Sequence, residues 1–183
     1  MDNLIENLNS DKNLKVYGGS LRLISVYDDN RYDRSDLDIV TRGMRNYIVN
    51  RLKEFDYDYV SGRVLGSKSY DAKFIIPKVG QLGGSPFDIL RREKRSELDY
   101  FVVTPTQAAA FFLVKYSVEN AIELMAELIE THPINFLKLK DFVGSEGFSD
   151  EFIDSLPELL KKQKSMTKKD HLKSKSHIGR LVY

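Results

Sequence analysis

Ser35-Asp36-Leu37-Asp38-Ile39-Val40 sets two carboxylates in alternation with apolar residues. Successive side chains on a strand point to opposite faces, so this spacing predicts a strand with Asp36 and Asp38 on one face and Leu37 and Ile39 turned to a core. Two anions held side by side need a cation. A hard divalent ion such as Mg²⁺ or Mn²⁺ takes carboxylate oxygens, keeps several waters and is completed by substrate phosphates. Upstream, Leu14 to Tyr17 reads as a strand running into the turn Gly18-Gly19-Ser20, and Leu21 to Ser25 is expected to form the first turns of a helix. Such a turn suits phosphate, because glycines let backbone amides approach closely and a helix N-terminus presents unpaired donors.

A third carboxylate follows the same rule. In Phe87-Asp88-Ile89-Leu90 alternation puts Asp88 on one face and Phe87 and Ile89 on the other. Neighbouring strands lie about 5 Å apart, so three carboxylates on one face span two metal ions about 4 Å apart. Asp71, in Ser69-Tyr70-Asp71-Ala72, is the rival for this position, but it precedes an apolar run instead of sitting inside one. The plainer reading of Asp-x-Asp is a charged edge strand that resists pairing with other chains. A calcium loop starting at Asp28 fails, because it would need Gly where Asp33 stands and Glu where Ile39 stands.

Together, Gly18-Gly19-Ser20, Asp36-x-Asp38 and Asp88 between apolar residues resemble the polymerase beta-like nucleotidyltransferase superfamily. The resemblance covers roughly residues 14 to 115 and implies a nucleotidyltransferase fold with metal-dependent transfer of a nucleoside monophosphate from a nucleoside triphosphate. It implies that Asp36, Asp38 and Asp88 are the catalytic metal ligands, with Asp88 assisting deprotonation of the acceptor hydroxyl. Gly18, Gly19 and Ser20 would hold the terminal phosphates. Many small members follow the third carboxylate with a hydrophobic-Thr-Pro segment opening a helix that carries a lysine toward the nucleotide, and Val102-Val103-Thr104-Pro105 to Lys115 fits. Arg22 and the Val40-Thr41 after the aspartates are similar to the tRNA nucleotidyltransferase branch and add Arg22 to the nucleotide-binding set. Two features depart from the pattern: fifteen residues separate Ser20 from Asp36, longer than is usual, and the branch's downstream Arg-Arg-Asp is only echoed by Arg91-Arg92-Glu93. The resemblance does not name the substrate: an RNA or tRNA 3′ end is the first acceptor to consider, toxin-like and antibiotic-modifying members transfer instead to a protein or a small molecule, and a binding module without turnover is the reading outside enzymes.

The remaining periodicity predicts an α+β (α/β) chain, a small mixed sheet with flanking helices followed by a helical C-terminal portion. Asp2 to Leu8 and Met44 to Phe55 read as helices, Tyr57 to Val60 and Lys73 to Ile76 as strands, and Ser61 to Lys68 as a glycine-rich loop. Tyr57, Tyr59, Tyr70 and Tyr100 are expected as half-buried sheet residues, one of them available to stack on a base. Thr104-Pro105 is a helix start signal. From it, Ala108, Phe111, Lys115, Val118, Ile122, Met125 and Ile129 follow a three-four alternation over six turns, one long helix with Lys115 on its apolar stripe, ended by His132-Pro133. A lysine there is costly unless paired or facing a cleft, or it snorkels from the edge of the stripe. Ile134 to Phe142 and Asp150 to Lys162, the latter opened by Ser149, complete the helices. The organisation expected is a catalytic domain over 1–103, a helical extension over 104–162 and a basic tail over 163–183.

Composition narrows the function classes. With no cysteine among 183 residues there is no disulfide, thiol nucleophile or cysteine zinc site, and His132, His171 and His177 are too scattered for a zinc centre. No apolar run approaches the roughly 20 residues of a membrane span, and the start MDNLIENLNSDK is unlike a signal peptide, so a cytoplasmic protein with no membrane partner is expected. The net charge of +1 conceals a segregation: residues 161–183 hold 8 Lys and Arg against 1 Asp, and residues 1–160 hold 20 against 26. That asymmetry suggests a basic arm for a polyanion such as RNA, bound through phosphates and sensitive to salt; the alternative is a solvated chain end.

Overall fold

The computed structural model describes residues 1–19, 22–27, 40–77, 97–144 and 147–168. They divide into two compact units on either side of the Thr104-Pro105 bond.

The first unit is built on a six-stranded mixed sheet. Helix α1 (Asp2–Asn9) turns Leu4 and Leu8, one helical turn apart, into the core and packs on strand β1 (Leu14–Tyr17). Asn9 ties the two together, its Oδ1 accepting from the Val16 N–H at 2.8 Å. Strand β2 (Leu23–Val26) pairs antiparallel with β1, Leu14 opposite Val26 and Tyr17 opposite Leu23. The helix expected over Leu21 to Ser25 is therefore a strand across its described part. All four β2 residues are buried, as in a strand covered on both faces, and a four-residue apolar run carries no period that separates strand from helix.

Helix α2 (Arg42–Lys53) starts at Thr41, whose Oγ1 accepts from the Met44 N–H at 3.2 Å. It buries Met44, Ile48, Val49 and Leu52. Tyr47 and Arg51, on the same spacing but at the edge of the buried face, converge on one carboxylate: the Tyr47 hydroxyl donates to Asp11 at 2.6 Å and Arg51 Nε lies 3.1 Å from the same oxygen. Burial first, then this bond to a carboxylate, raises the pKa of Tyr47.

Strands β3 (Tyr57–Ser61) and β4 (Val64–Ser67) form a hairpin around Gly62 and Arg63. The glycine-rich loop expected over Ser61 to Lys68 is thus largely a strand. Its glycine serves the pairing, because a Cβ on Gly66 would come within 2.8 Å of a Val60 methyl. Arg45 of α2 fastens the hairpin, donating to the carbonyls of Gly62 at 2.7 Å and Pro77 at 2.7 Å, with its guanidinium 5.6 Å from the Tyr59 ring. Strand β5 (Phe74–Ile75) and strand β6 (Tyr100–Val103) close the sheet, whose order is β1-β2-β6-β5-β4-β3. Parallel pairing of β2 with β6 and of β5 with β6 places the apolar run Tyr100-Phe101-Val102-Val103 at the centre, buried throughout.

The second unit is helical. Helix α3 (Pro105–Lys115) begins with Pro105 at its first position, as the start signal requires, and is buried continuously from Pro105 to Phe112. The single long helix expected beyond Thr106 is instead two, α3 and α4 (Val118–Leu128). Ser117 divides them: its Oγ accepts from the Asn120 N–H at 3.4 Å and caps a new helix, a role serine fills better than a helix interior. Glu119 in that first turn has its pKa lowered by its own backbone N–H and by the Ser117 hydroxyl.

Helix α5 (Phe136–Val143) is capped by Asn135, whose Oδ1 accepts from the Lys138 N–H at 3.0 Å while its own N–H donates to Thr106 of α3 at 2.9 Å. Helix α6 (Asp150–Lys168) opens at Ser149, with its Oγ accepting from the Phe152 N–H at 3.2 Å, and it runs past residue 162. Gln163, counted with the tail on composition, is fully buried. Its Oε1 accepts from the Ile134 N–H at 2.8 Å and its Nε2 donates to the Ile134 carbonyl at 3.1 Å. Among the described residues no helix is long and apolar enough to cross a membrane.

Candidate functional site

Strand β1 is followed by Gly18 and Gly19, both exposed. Gly19 has φ +100°, a backbone conformation that side-chain-bearing residues rarely adopt, so glycine at this position is a conformational requirement. A Cβ on Gly18 would meet nothing within 4 Å, which leaves its backbone open to an approaching group. The chain that returns from the turn enters β2, a strand. The helix N-terminus expected to supply further donors beyond Ser20 is replaced by a sheet edge-to-edge pairing whose N–H groups are engaged in the ladder.

Arg22 lies at the entry to β2. Its carbonyl accepts from the Phe101 N–H at 3.0 Å, extending the parallel β2–β6 ladder. Its Nη1 donates to the Leu98 carbonyl at 3.3 Å, and the guanidinium carbon sits 5.4 Å from the centre of the Tyr100 ring. The side chain is half-buried, with its charge solvated in part by an aromatic face.

That ring begins an aromatic ladder. Tyr100 stacks on Phe74 with centroids 5.3 Å apart, Phe74 meets Tyr57 edge to face at 4.9 Å, and Tyr57 stacks on Tyr70 at 5.8 Å with planes 6° apart. Tyr57, Phe74 and Tyr100 are buried; Tyr70 is half-exposed. None of the four tyrosines meets the expectation of a half-buried sheet residue in full: Tyr57 and Tyr100 are on strands but buried, Tyr70 is half-exposed but lies between β4 and β5, and Tyr59 is open to solvent on β3. Burial, followed by the neighbouring Tyr70 and Tyr100 hydroxyls, pushes the Tyr57 hydroxyl pKa well above the usual tyrosine range, and that hydroxyl donates to the Ala72 carbonyl at 3.2 Å.

Arg22 and Tyr70, the two ends of this ladder, both line one open cleft of about 610 Å³, together with Tyr100, Asp71 and the α1 residues Asp2 and Glu6. Asp71, the rival for the third carboxylate, is exposed at its mouth. Asp99, a carboxylate that the sequence pattern does not mark out, is nine-tenths buried; it accepts from the Lys73 N–H at 3.1 Å and fixes the start of β6 against β5. An acidic residue directly before an apolar strand was the only signal available for it.

Lys115 is exposed at the last position of α3, in the second unit. The three-four stripe that predicts a buried face for Lys115 needs one helix through Val118, and the break at Ser117 ends that helix. Asp36, Asp38, Asp88 and Ser20 lie outside the described residues, as do positions 169–183 of the basic tail. Among the described residues no three His, Asp or Glu side chains come together in a way that would hold a metal ion. No family model, curated protein or solved structure matches the chain.

Proposed function

We propose that the chain is a metal-dependent nucleotidyltransferase that moves a nucleoside monophosphate from a nucleoside triphosphate to an acceptor hydroxyl, with an RNA 3′ end as the acceptor best suited to the basic C-terminal arm. The observation that carries this reading is the sequence constellation of Gly18-Gly19-Ser20 with Asp36-x-Asp38 and Asp88. The positive φ of Gly19 and the open approach at Gly18 support it, since a phosphate cradle needs both.

In this reading Asp36, Asp38 and Asp88 would supply the hard oxygen donors for Mg²⁺ or Mn²⁺, and the ions would neutralise charge on the triphosphate and the charge that develops during transfer. Asp88 receives the proton of the acceptor hydroxyl. The acceptor oxygen then bonds to the α-phosphorus in line as the bond from that phosphorus to the bridging oxygen breaks, and pyrophosphate leaves. The Gly18 and Gly19 amides and Ser20 hold the β- and γ-phosphates, and Arg22 supplies positive charge toward the nucleotide.

One observation favours a second reading, a nucleotide- or RNA-binding module without turnover. The glycine turn leads into strand β2, so it lacks the helix N-terminus that adds donors to a phosphate site. A labelling assay separates the two. Each labelled nucleoside triphosphate is incubated with the protein and Mg²⁺, with and without RNA, and label is followed into RNA, protein and small products. Transfer that falls at least about a hundredfold in Asp36→Ala and Asp88→Ala is expected, in line with losing transition-state charge stabilisation. Transfer unchanged in Asp36→Ala would remove the site assignment, and absence of any labelled product would favour the binding module.

A further inference from the structure

We propose that the cleft between Arg22 and Tyr70 is a nucleobase site that selects a base presenting adjacent N–H donors, guanine above all. The aromatic ladder and the cleft carry the argument. Three of the ladder's four rings are buried and belong to the core, yet its two ends, the half-buried Arg22 guanidinium and the half-exposed Tyr70 ring, face one cavity of about 610 Å³. Arginine planes and tyrosine rings are the surfaces on which unpaired bases stack, and the volume falls within the range of small-ligand sites. The Tyr70 ring is held in plane by Tyr57, stacked 5.8 Å away and buried, so its orientation is set before a ligand arrives. Arg22 is likewise held, by the Leu98 carbonyl and the Tyr100 ring.

The polar groups at this cleft decide which base. Asp71, Asp2 and Glu6 line it and, when ionised, only accept hydrogen bonds, whereas Arg22 is the one guanidinium among its described lining residues. Acceptors at the mouth disfavour entry of a phosphate and favour a ring edge that donates. Guanine offers a ring N–H beside an exocyclic amino group, two parallel donors that match the two oxygens of one carboxylate; uracil offers a single N–H, and hypoxanthine lacks the amino group. Asp71 adjoins Tyr70 in sequence, so the stacking surface and the bidentate acceptor are presented by consecutive residues. Asp71 then has a role other than the third metal carboxylate for which it was the rival. The inference rests on the nucleotidyl-transfer reading for taking the ligand to be a nucleotide, while base recognition itself requires neither metal nor turnover.

The test uses free nucleosides and no metal. Binding of guanosine, inosine and uridine to the full chain is measured by ligand-observed NMR, with quenching of tyrosine fluorescence as a second readout in a protein without tryptophan. Guanosine is expected to bind about tenfold more tightly than inosine, the scale of one good bidentate base contact. In Asp71→Asn, a change at an exposed position, that preference should fall to near unity while stacking persists; in Tyr70→Ala binding of all three should weaken. Equal affinity for guanosine and inosine, or a guanosine preference retained in Asp71→Asn, would overturn the assignment. So would failure of every nucleoside to bind at millimolar concentration, and if label transfer from a triphosphate persists alongside that failure, only the base site is lost. Guanosine-selective binding in a protein that transfers no label would uphold the cleft and remove the enzymatic reading.

Discussion

Phe74 in the sheet unit and Gln163 in the helical unit are both fully buried, yet they hold their surroundings by different means. Phe74 contributes apolar area and ring contacts, standing between Tyr100 and Tyr57 in a ladder formed by strands far apart in sequence. Gln163 contributes two directed bonds to one peptide, the N–H and the carbonyl of Ile134. The sheet already satisfies its backbone through strand pairing, so its side chains are free to pack. Helices leave orphan groups at their ends and in the segments between them, and side chains must reach in to satisfy those groups, as Thr106, Ser117, Asn135 and Gln163 do. The difference teaches that a polar residue can be as structural in the helical unit as a phenyl ring is in the sheet.

Three substitutions test that contrast. The largest effect is expected for Phe74→Ala, which opens a cavity in the middle of the ladder and should cost about 3–5 kcal/mol in urea unfolding. It should also increase the exposure of Tyr57 and Tyr100, read as tyrosine fluorescence quenched more readily by an added quencher. Gln163→Met keeps length and volume while deleting both bonds to Ile134. It should cost about 2–3 kcal/mol, because a buried N–H and a buried carbonyl lose their partner. Stability equal to wild type would break the comparison, since the helical unit would then be held by packing alone.

The smallest effect is expected for Tyr57→Phe, and it depends on pH. At neutral pH the variant loses the bond to the Ala72 carbonyl, about 1 kcal/mol. The folded chain holds the Tyr57 hydroxyl protonated above its usual pKa of about 10, so this contribution is complete below that value. As pH rises further the unfolded chain ionises first, and the wild type loses stability toward the raised folded value. The variant lacks this loss, so the gap between the two should narrow above about pH 10, with the slope that remains belonging partly to Tyr47. A gap constant with pH would mean that the Tyr57 hydroxyl is not shielded as the ladder requires.

The parts of the fold that were legible in the sequence share one property: their signal lies within a few residues. Thr104-Pro105 marks the start of α3 and Ser149 the start of α6, and Leu14 to Tyr17 ends where two glycines follow. The misread segments depend on distant partners. Val64–Ser67 carries a glycine and a serine and becomes a strand through its pairing with β3 and β5. The three-four stripe from Ala108 to Ile129 is continuous in period, but capping by Ser117 competes with it and wins. Of the candidate site, Gly18, Gly19 and Arg22 were nameable from their order along the chain. The convergence of Arg22 with Tyr70 and Asp71 on one cleft was not, because nearly fifty residues and several strand pairings separate them.

By itself the sequence determined where backbone conformation must change, at the glycines, the prolines and the capping hydroxyls, because those residues act on their own neighbours. It also determined the chemistry on offer, two carboxylates one residue apart and a glycine turn upstream. Only the tertiary structure decided that Leu23–Val26 is a strand, bonded to Leu14–Tyr17 on one side and to Tyr100–Val103 on the other. A strand exists by its hydrogen bonds to other strands. Its partners here lie six to twelve residues away in β1 and 78 residues away in β6, and the β6 pairing is beyond the reach of any local pattern.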